Sequence, residues 1–123
     1  MRVLIGMLTA ICMLAPLSAE TQMKAAIKSK LAMKSMLFDI ANVNNDFMVA
    51  VGERGHILRA ENTDTWVQVD VPTQTTLTAV TFVDNVNGWA VGHDATILNT
   101  TNGGLSWHVQ QNLPVTQKPL LDI

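Results

Sequence analysis

A single cysteine, Cys12, excludes an intramolecular disulfide, so packing alone must hold the fold together. Aromatic residues make up only 5% of the chain and tyrosine is absent, so a stacking platform for bases or sugars would have to use Trp66, Trp89, Trp107 or the three phenylalanines. Charged residues are few and nearly balanced, with a formal net charge of -2, which removes the electrostatic footprint expected of a nucleic-acid partner. Beyond the N-terminus no apolar run approaches membrane-spanning length.

The N-terminus has its own pattern. Met1-Arg2 supplies positive charge, Val3 to Leu14 is apolar apart from Gly6 and Thr9, and Pro16-Leu17-Ser18-Ala19 precedes a polar turn at Glu20. This order predicts a secretory signal peptide over 1–19, cut near Ala19, and hence an exported protein of the periplasm or cell envelope. Cys12 lies inside it, so the mature chain would carry no thiol. Residues 20–36 interleave Lys24, Lys28, Lys30 and Lys34 with Met23, Ile27, Leu31 and Met33. They are expected to form a basic linker or short helix leading into the domain. The helical spacing of 23, 27 and 31 also admits an amphipathic helix on an acidic membrane surface.

The organising feature is internal repetition. Sliding the chain against itself aligns 37–62 with 77–102 and places nine identical pairs among 26 positions, including Ala50-Val51-Gly52 on Ala90-Val91-Gly92 and Ile57-Leu58 on Ile97-Leu98. Unrelated sequences would share about one or two. A one-residue slip then brings Trp66 onto Trp107, and the copies end near Pro72 and Pro114. Each copy breaks into four short β-rich runs punctuated by Asn, Asp and Gly: in the second, Leu77 to Val83, Trp89 to Gly92, Ala95 to Thr100 and Ser106 to Gln110. Four strands within a repeat of this length are the signature of a propeller blade. Small Ala90 and Gly92 suit strands where neighbouring blades approach closely. The expected fold is all-β, with two four-stranded antiparallel blades, 37–72 and 77–114. Leu120-Leu121-Asp122-Ile123 reproduces Leu37-Phe38-Asp39-Ile40, so 120–123 is expected to open the first strand of a third blade, as in a truncated propeller.

Thr100-Thr101-Asn102-Gly103-Gly104-Leu105-Ser106-Trp107 resembles the Asp-box turn of sialidase-type repeats, and Ala60 to Trp66 is a degraded copy one residue shorter. Ala50-Val51-Gly52-Glu53-Arg54-Gly55-His56-Ile57-Leu58 and Gly88-Trp89-Ala90-Val91-Gly92-His93-Asp94-Ala95-Thr96-Ile97-Leu98 resemble the photosystem II stability and assembly factor-like propellers, over about residues 35–123. The resemblance implies further blades to close a ring. In an Asp-box the Asn or Asp side chain accepts backbone N–H groups, Gly supplies positive φ and Trp packs between strands. Thr100, Asn102, Gly104, Ser106 and Trp107 are therefore expected to be scaffold.

The resemblance to sialidases would imply a tyrosine nucleophile and an arginine cluster. Tyrosine is absent, and Arg54 and Arg59 stand an odd number of residues apart, on opposite faces of an unbroken strand. His56, His93 and His108 occupy non-equivalent repeat positions without metal-ligand spacing, and no nucleophile elbow or phosphate loop occurs. No enzyme activity, cofactor or metal is expected. Propeller geometry puts second-to-third strand turns on the rim that also carries the blade linkers, opposite the Asp-box. That makes Glu53, Arg54, His56, His93 and Asp94 the candidate binding rim. The leading expectation is an exported protein-binding or membrane-protein assembly module that self-associates if it exists alone. The alternatives are a carbohydrate-active or carbohydrate-binding propeller and a nonfunctional truncated product.

Overall fold

The computed structural model describes residues 23–123, so the expected signal segment 1–19 lies outside the described residues. Eight strands form two four-stranded antiparallel sheets, each in chain order. Blade 1 comprises β1 (Leu37–Val43), β2 (Phe47–Gly52), β3 (Ile57–Ala60) and β4 (Trp66–Gln68). Blade 2 comprises β5 (Leu77–Phe82), β6 (Gly88–Gly92), β7 (Ile97–Thr100) and β8 (His108–Gln111). No α-helix occurs among the described residues. The all-β, two-blade architecture expected from the repeat is the one observed.

Local chemistry closes each hairpin. Between β1 and β2, Asn44 and Asn45 take φ of 52° and 60°, and the Asp46 N–H bonds the Val43 carbonyl at 2.9 Å, the geometry of a type I′ turn whose twist matches the strands. Between β5 and β6 the Asp84 carboxylate accepts the N–H groups of Val86 at 2.8 Å and Asn87 at 2.6 Å. Those bonds to Asn87 and Val86, led by the Asn87 side chain, hold the Asp84 carboxyl below its ordinary pKa.

Strand alternation then divides each sheet into two faces. Val49, Val51 and Ile57 of blade 1 and Val80, Ala90, Leu98 and Trp107 of blade 2 are buried in one cluster between the sheets. Phe47 meets Phe82, and Phe82 meets Trp107, in edge-to-face pairs with centroids 5.5 and 6.0 Å apart. The innermost strands also touch, the Asp39 carboxylate accepting the Val80 N–H at 2.9 Å. Ala90 is fully buried at this seam, as its size suggests. Gly92 is small for a different reason than blade contact. A Cβ there would lie 2.1 Å from the Thr76 carbonyl of its own blade, and Gly52 would meet Met36 in the same way at 2.2 Å, because a bulge at the start of β5 and of β1 drives those carbonyls inward.

Two segments lie outside the eight strands. Residues 23–36 form no α-helix, and most of them are exposed. They run as a strap along the outer side of blade 1, ending in a single 3-10 turn at Ala32–Lys34. The Ala26 N–H bonds the Val71 carbonyl at 2.8 Å, Lys28 Nζ donates to the Gln68 carbonyl at 2.6 Å, and the Gln68 side chain both accepts from Ser29 N–H and donates to the Ile27 carbonyl. Ala32 is buried against Ala50, Leu58 and Trp66. Backbone groups of 25–29 bond the blade edge in place of their own helix ladder. At the other end, no strand forms over Leu120–Ile123, since no strand pairs with it among the described residues. Leu120 N–H instead donates to the Gly92 carbonyl at 2.9 Å, and the Lys118 carbonyl accepts from Ala95 N–H at 2.8 Å.

Candidate functional site

The β2–β3 and β6–β7 connections are built alike. His56 N–H bonds the Glu53 carbonyl and Thr96 N–H bonds the His93 carbonyl, each at 3.0 Å. The central residues all have positive φ: Arg54 58°, Gly55 72°, Asp94 53° and Ala95 48°. These are again type I′ turns, which hold the side chains at positions 53–54 and 93–94 on short, rigid loops. The Thr73–Thr76 linker lies between them. Gln74 lines a pocket of about 210 Å³ with Arg54 and His56, and also a wider groove with Asp94, so both turns sit on one edge of the two sheets.

The five candidate rim residues are not equivalent there. Arg54 and His93 are exposed, while Glu53 and Asp94 are half-buried. Glu53 divides its role, since its Oε1 accepts the Met36 N–H at 3.2 Å and thereby anchors the strap. His56 is only 4% exposed and does not project from the rim. Its Nδ1 lies 2.8 Å from Ser35 Oγ, and that hydroxyl donates to the Ala32 carbonyl at 2.5 Å. With the serine proton committed to Ala32, Nδ1 is left to donate, so the pair is an anchor and lacks the proton acceptor of a nucleophile–base dyad. Burial lowers the His56 pKa from its ordinary 6.5, Glu53 opposing and Arg54 reinforcing the shift. A turn histidine looks exposed in sequence because nothing local reveals that the distant Ser35 segment folds over it.

The opposite edge carries the β7–β8 turn. Thr100, fully buried, accepts the Gly104 N–H at 3.0 Å and donates to Asn102 Oδ1 at 2.9 Å. Asn102 Oδ1 also accepts the Ser106 N–H at 3.0 Å, and its amide donates to Ser106 Oγ at 2.7 Å. Trp107, 5% exposed, donates its indole N–H to the Gly104 carbonyl at 3.2 Å. Each of these four side chains thus bonds within the turn. In blade 1 Asn62 performs part of the same work, its Oδ1 accepting from Asp64 and Thr65 N–H at 3.0 and 2.9 Å.

Arg59 has a role that its sequence position did not suggest. It extends from β3 across the seam, where Nε donates to the Gly103 carbonyl at 2.8 Å, the guanidinium lies 4.3 Å from the Phe47 ring centroid, and Nη1 pairs with Glu61 at 3.0 Å. It clamps blade 1 to the turn of blade 2. The available signal was its register: Arg59 shares a sheet face with Val49, the face that meets blade 2. Among the described residues no three His, Cys, Asp or Glu side chains gather as a metal ion would require.

Two consecutive four-stranded blades, packed face to face through matching apolar sets and pinned by a Thr–Asn–Ser–Trp turn, define a β-propeller repeat protein. The family model described as photosynthesis system II assembly factor YCF48 matches residues 58–120, more than half the chain. The chain belongs to that family. It is 44% identical over 48 residues to "Photosystem II assembly protein Ycf48" of Synechococcus sp. (strain JA-2-3B'a(2-13)), covering 37% of this chain and 14% of the relative. With the protein of the same name from Thermosynechococcus vestitus it shares 38% identity over 42 residues, covering 34% of this chain and 12% of the relative. The matched stretch thus spans about one seventh of the length of these curated relatives.

Proposed function

We propose that this chain is a non-enzymatic, exported propeller module that binds a protein partner in the cell envelope, as an assembly or stability factor for membrane proteins. Membership of the assembly-factor family carries the reading. The geometry supports it. The Thr100, Asn102, Ser106 and Trp107 side chains of the β7–β8 turn each bond within that turn, whereas the β2–β3 and β6–β7 turns hold Arg54 and His93 outward on short loops of mixed charge beside half-buried Glu53 and Asp94. A turn backbone already fixed in its bound form loses little entropy on binding a partner.

The test is quantitative co-purification from solubilised envelope with the tagged chain, comparing wild type, Arg54→Ala with His93→Ala, and Asp84→Ala on the opposite edge. The double variant should lose the captured protein while its unfolding free energy stays within about 0.5 kcal/mol, as is usual for exposed turn substitutions. Equal capture by all three would remove the rim as the binding surface. Export is checked by the N-terminal peptide of the envelope form, which should begin near Glu20.

A further inference from the structure

The β2–β3 turn, the strap and the Thr73–Thr76 linker together wall the small pocket of about 210 Å³ beside His56, lined by Ile27, Ser29, Arg54, His56 and Gln74. None of these five residues belongs to a strand, so no blade face forms part of the pocket. His56 is 4% exposed, and its Nδ1 is engaged by Ser35 Oγ at 2.8 Å. Its Nε2 has no hydrogen-bond partner among the described residues. No side-chain nitrogen or oxygen there is both fully enclosed and unpaired, so Nε2 is open to the pocket that its ring lines.

The bonds these groups already make fix what they can still do. With Nδ1 donating to Ser35, Nε2 of the neutral ring carries the lone pair and accepts. Burial keeps the ring neutral near pH 7, with Glu53 opposing and Arg54 reinforcing. Gln74 donates from its amide nitrogen to the Ala25 carbonyl at 2.9 Å, which leaves its Oε1 as a second acceptor. Arg54 offers donors only. A matching ligand group therefore carries two donors and one acceptor on a short planar unit. A carboxylate brings no donor and would set a lone pair against Nε2. A hydroxyl brings a single donor, and an ammonium brings no acceptor and is repelled by Arg54. A primary carboxamide has two N–H donors and a carbonyl oxygen. The exposed Ile27 side chain gives its methylene stem an apolar wall.

We infer that the pocket is a carboxamide subsite, which takes the side chain of an asparagine or glutamine presented by the bound protein. The amide N–H groups donate to His56 Nε2 and Gln74 Oε1, and the carbonyl oxygen accepts from Arg54. The inference rests on the rim reading for what carries the carboxamide, while the chemistry of the pocket is testable without that partner.

NMR titration of the isotope-labelled full chain with propionamide, propionate and 1-propanol tests this, at about pH 7.5, where an unperturbed histidine is already mostly neutral. Propionamide should shift the His56 Nε2 resonance saturably, and the other two probes should bind about tenfold more weakly or worse. Arg54→Ala and, separately, Gln74→Ala should each weaken propionamide by about tenfold or more without unfolding the chain, since both side chains are exposed. His93→Ala, on the neighbouring turn, should leave propionamide binding unchanged. Propionate binding more tightly than propionamide would overturn the inference in favour of an anion site. No saturable shift with any probe would overturn it and leave the pocket to water. The rim reading fails separately: capture retained by Arg54→Ala with His93→Ala removes the rim whatever propionamide does, whereas capture lost in that variant with no propionamide binding in wild type removes the subsite alone.

Discussion

Replacing Arg59 by alanine should loosen the two blades from each other more than any other single charged-residue change. The side chain is 12% exposed, so its interactions are shielded from water on most sides. Its Nε bond to the Gly103 carbonyl is charge-assisted and contributes about 1.5–3 kcal/mol. Its position over Phe47 contributes about 0.5–2 kcal/mol. The pair with Glu61, whose side chain is 75% exposed, is screened and contributes at most about 1 kcal/mol. These overlap in one side chain, so the expected total is about 2–4 kcal/mol, a large fraction of the roughly 5–15 kcal/mol that stabilises a domain. Arg59→Ala should move the denaturation midpoint down by that amount, Glu61→Ala by less than about 0.5 kcal/mol, and Arg59→Lys should fall between, keeping charge but losing the planar fork. The Phe82 and Trp107 rings sit at the same seam, so Trp fluorescence reports it directly. If Arg59→Ala shifts stability no more than an ordinary surface substitution does, within about 0.5 kcal/mol, the seam is held by apolar packing alone and the clamp is incidental.

The paired turns give a second prediction. Ala95 holds a left-handed φ of 48° that costs an L-residue about 1 kcal/mol, so Ala95→Gly should raise the melting temperature, the lost strain slightly exceeding the entropy that glycine adds to the unfolded chain. At the equivalent Gly55 the reverse change should be severe, because a Cβ would lie 2.0 Å from the Thr73 carbonyl, and thermal unfolding of Gly55→Ala should show a loss of more than about 2 kcal/mol. Third, burial depresses the His56 pKa, so the unfolded chain binds its proton first; stability from this group is complete above about pH 6.5 and declines as pH falls below it. Urea midpoints measured from about pH 7.5 to 5 should fall in wild type and flatten in His56→Gln; parallel curves would assign the acid sensitivity elsewhere.

Which residues form strands was legible because it depends on neighbours in the chain. Val49, Val51, Ile57 and their counterparts at 89, 91 and 97 alternate with residues of the other face, and Asn44-Asn45, Arg54-Gly55 and Asp84 stand where type I′ or Asx turns need them. Repetition of the whole unit, 37–62 on 77–102, multiplied that signal, so the number of blades and the order of strands followed from periodicity alone. So did the chemistry of the β7–β8 turn, since Thr100, Asn102, Ser106 and Trp107 all act on near neighbours in the chain.

What the tertiary structure alone decided involves partners distant in sequence. Lys28 meets Gln68 and Asp70 far along the chain, so residues that read as a solvated linker are in fact a strap, and Ser35 closes over His56 and removes it from the rim. Arg59 finds the distant Gly103 carbonyl, a contact that no local pattern encodes because one end of it is a backbone atom. The two faces of blade 1 read almost equally apolar in sequence. Only the packing of the second sheet shows that Val49 and Val51 are covered while Phe38 and Ile40 are left exposed, because strand alternation assigns residues to faces but cannot say which face a neighbour will bury.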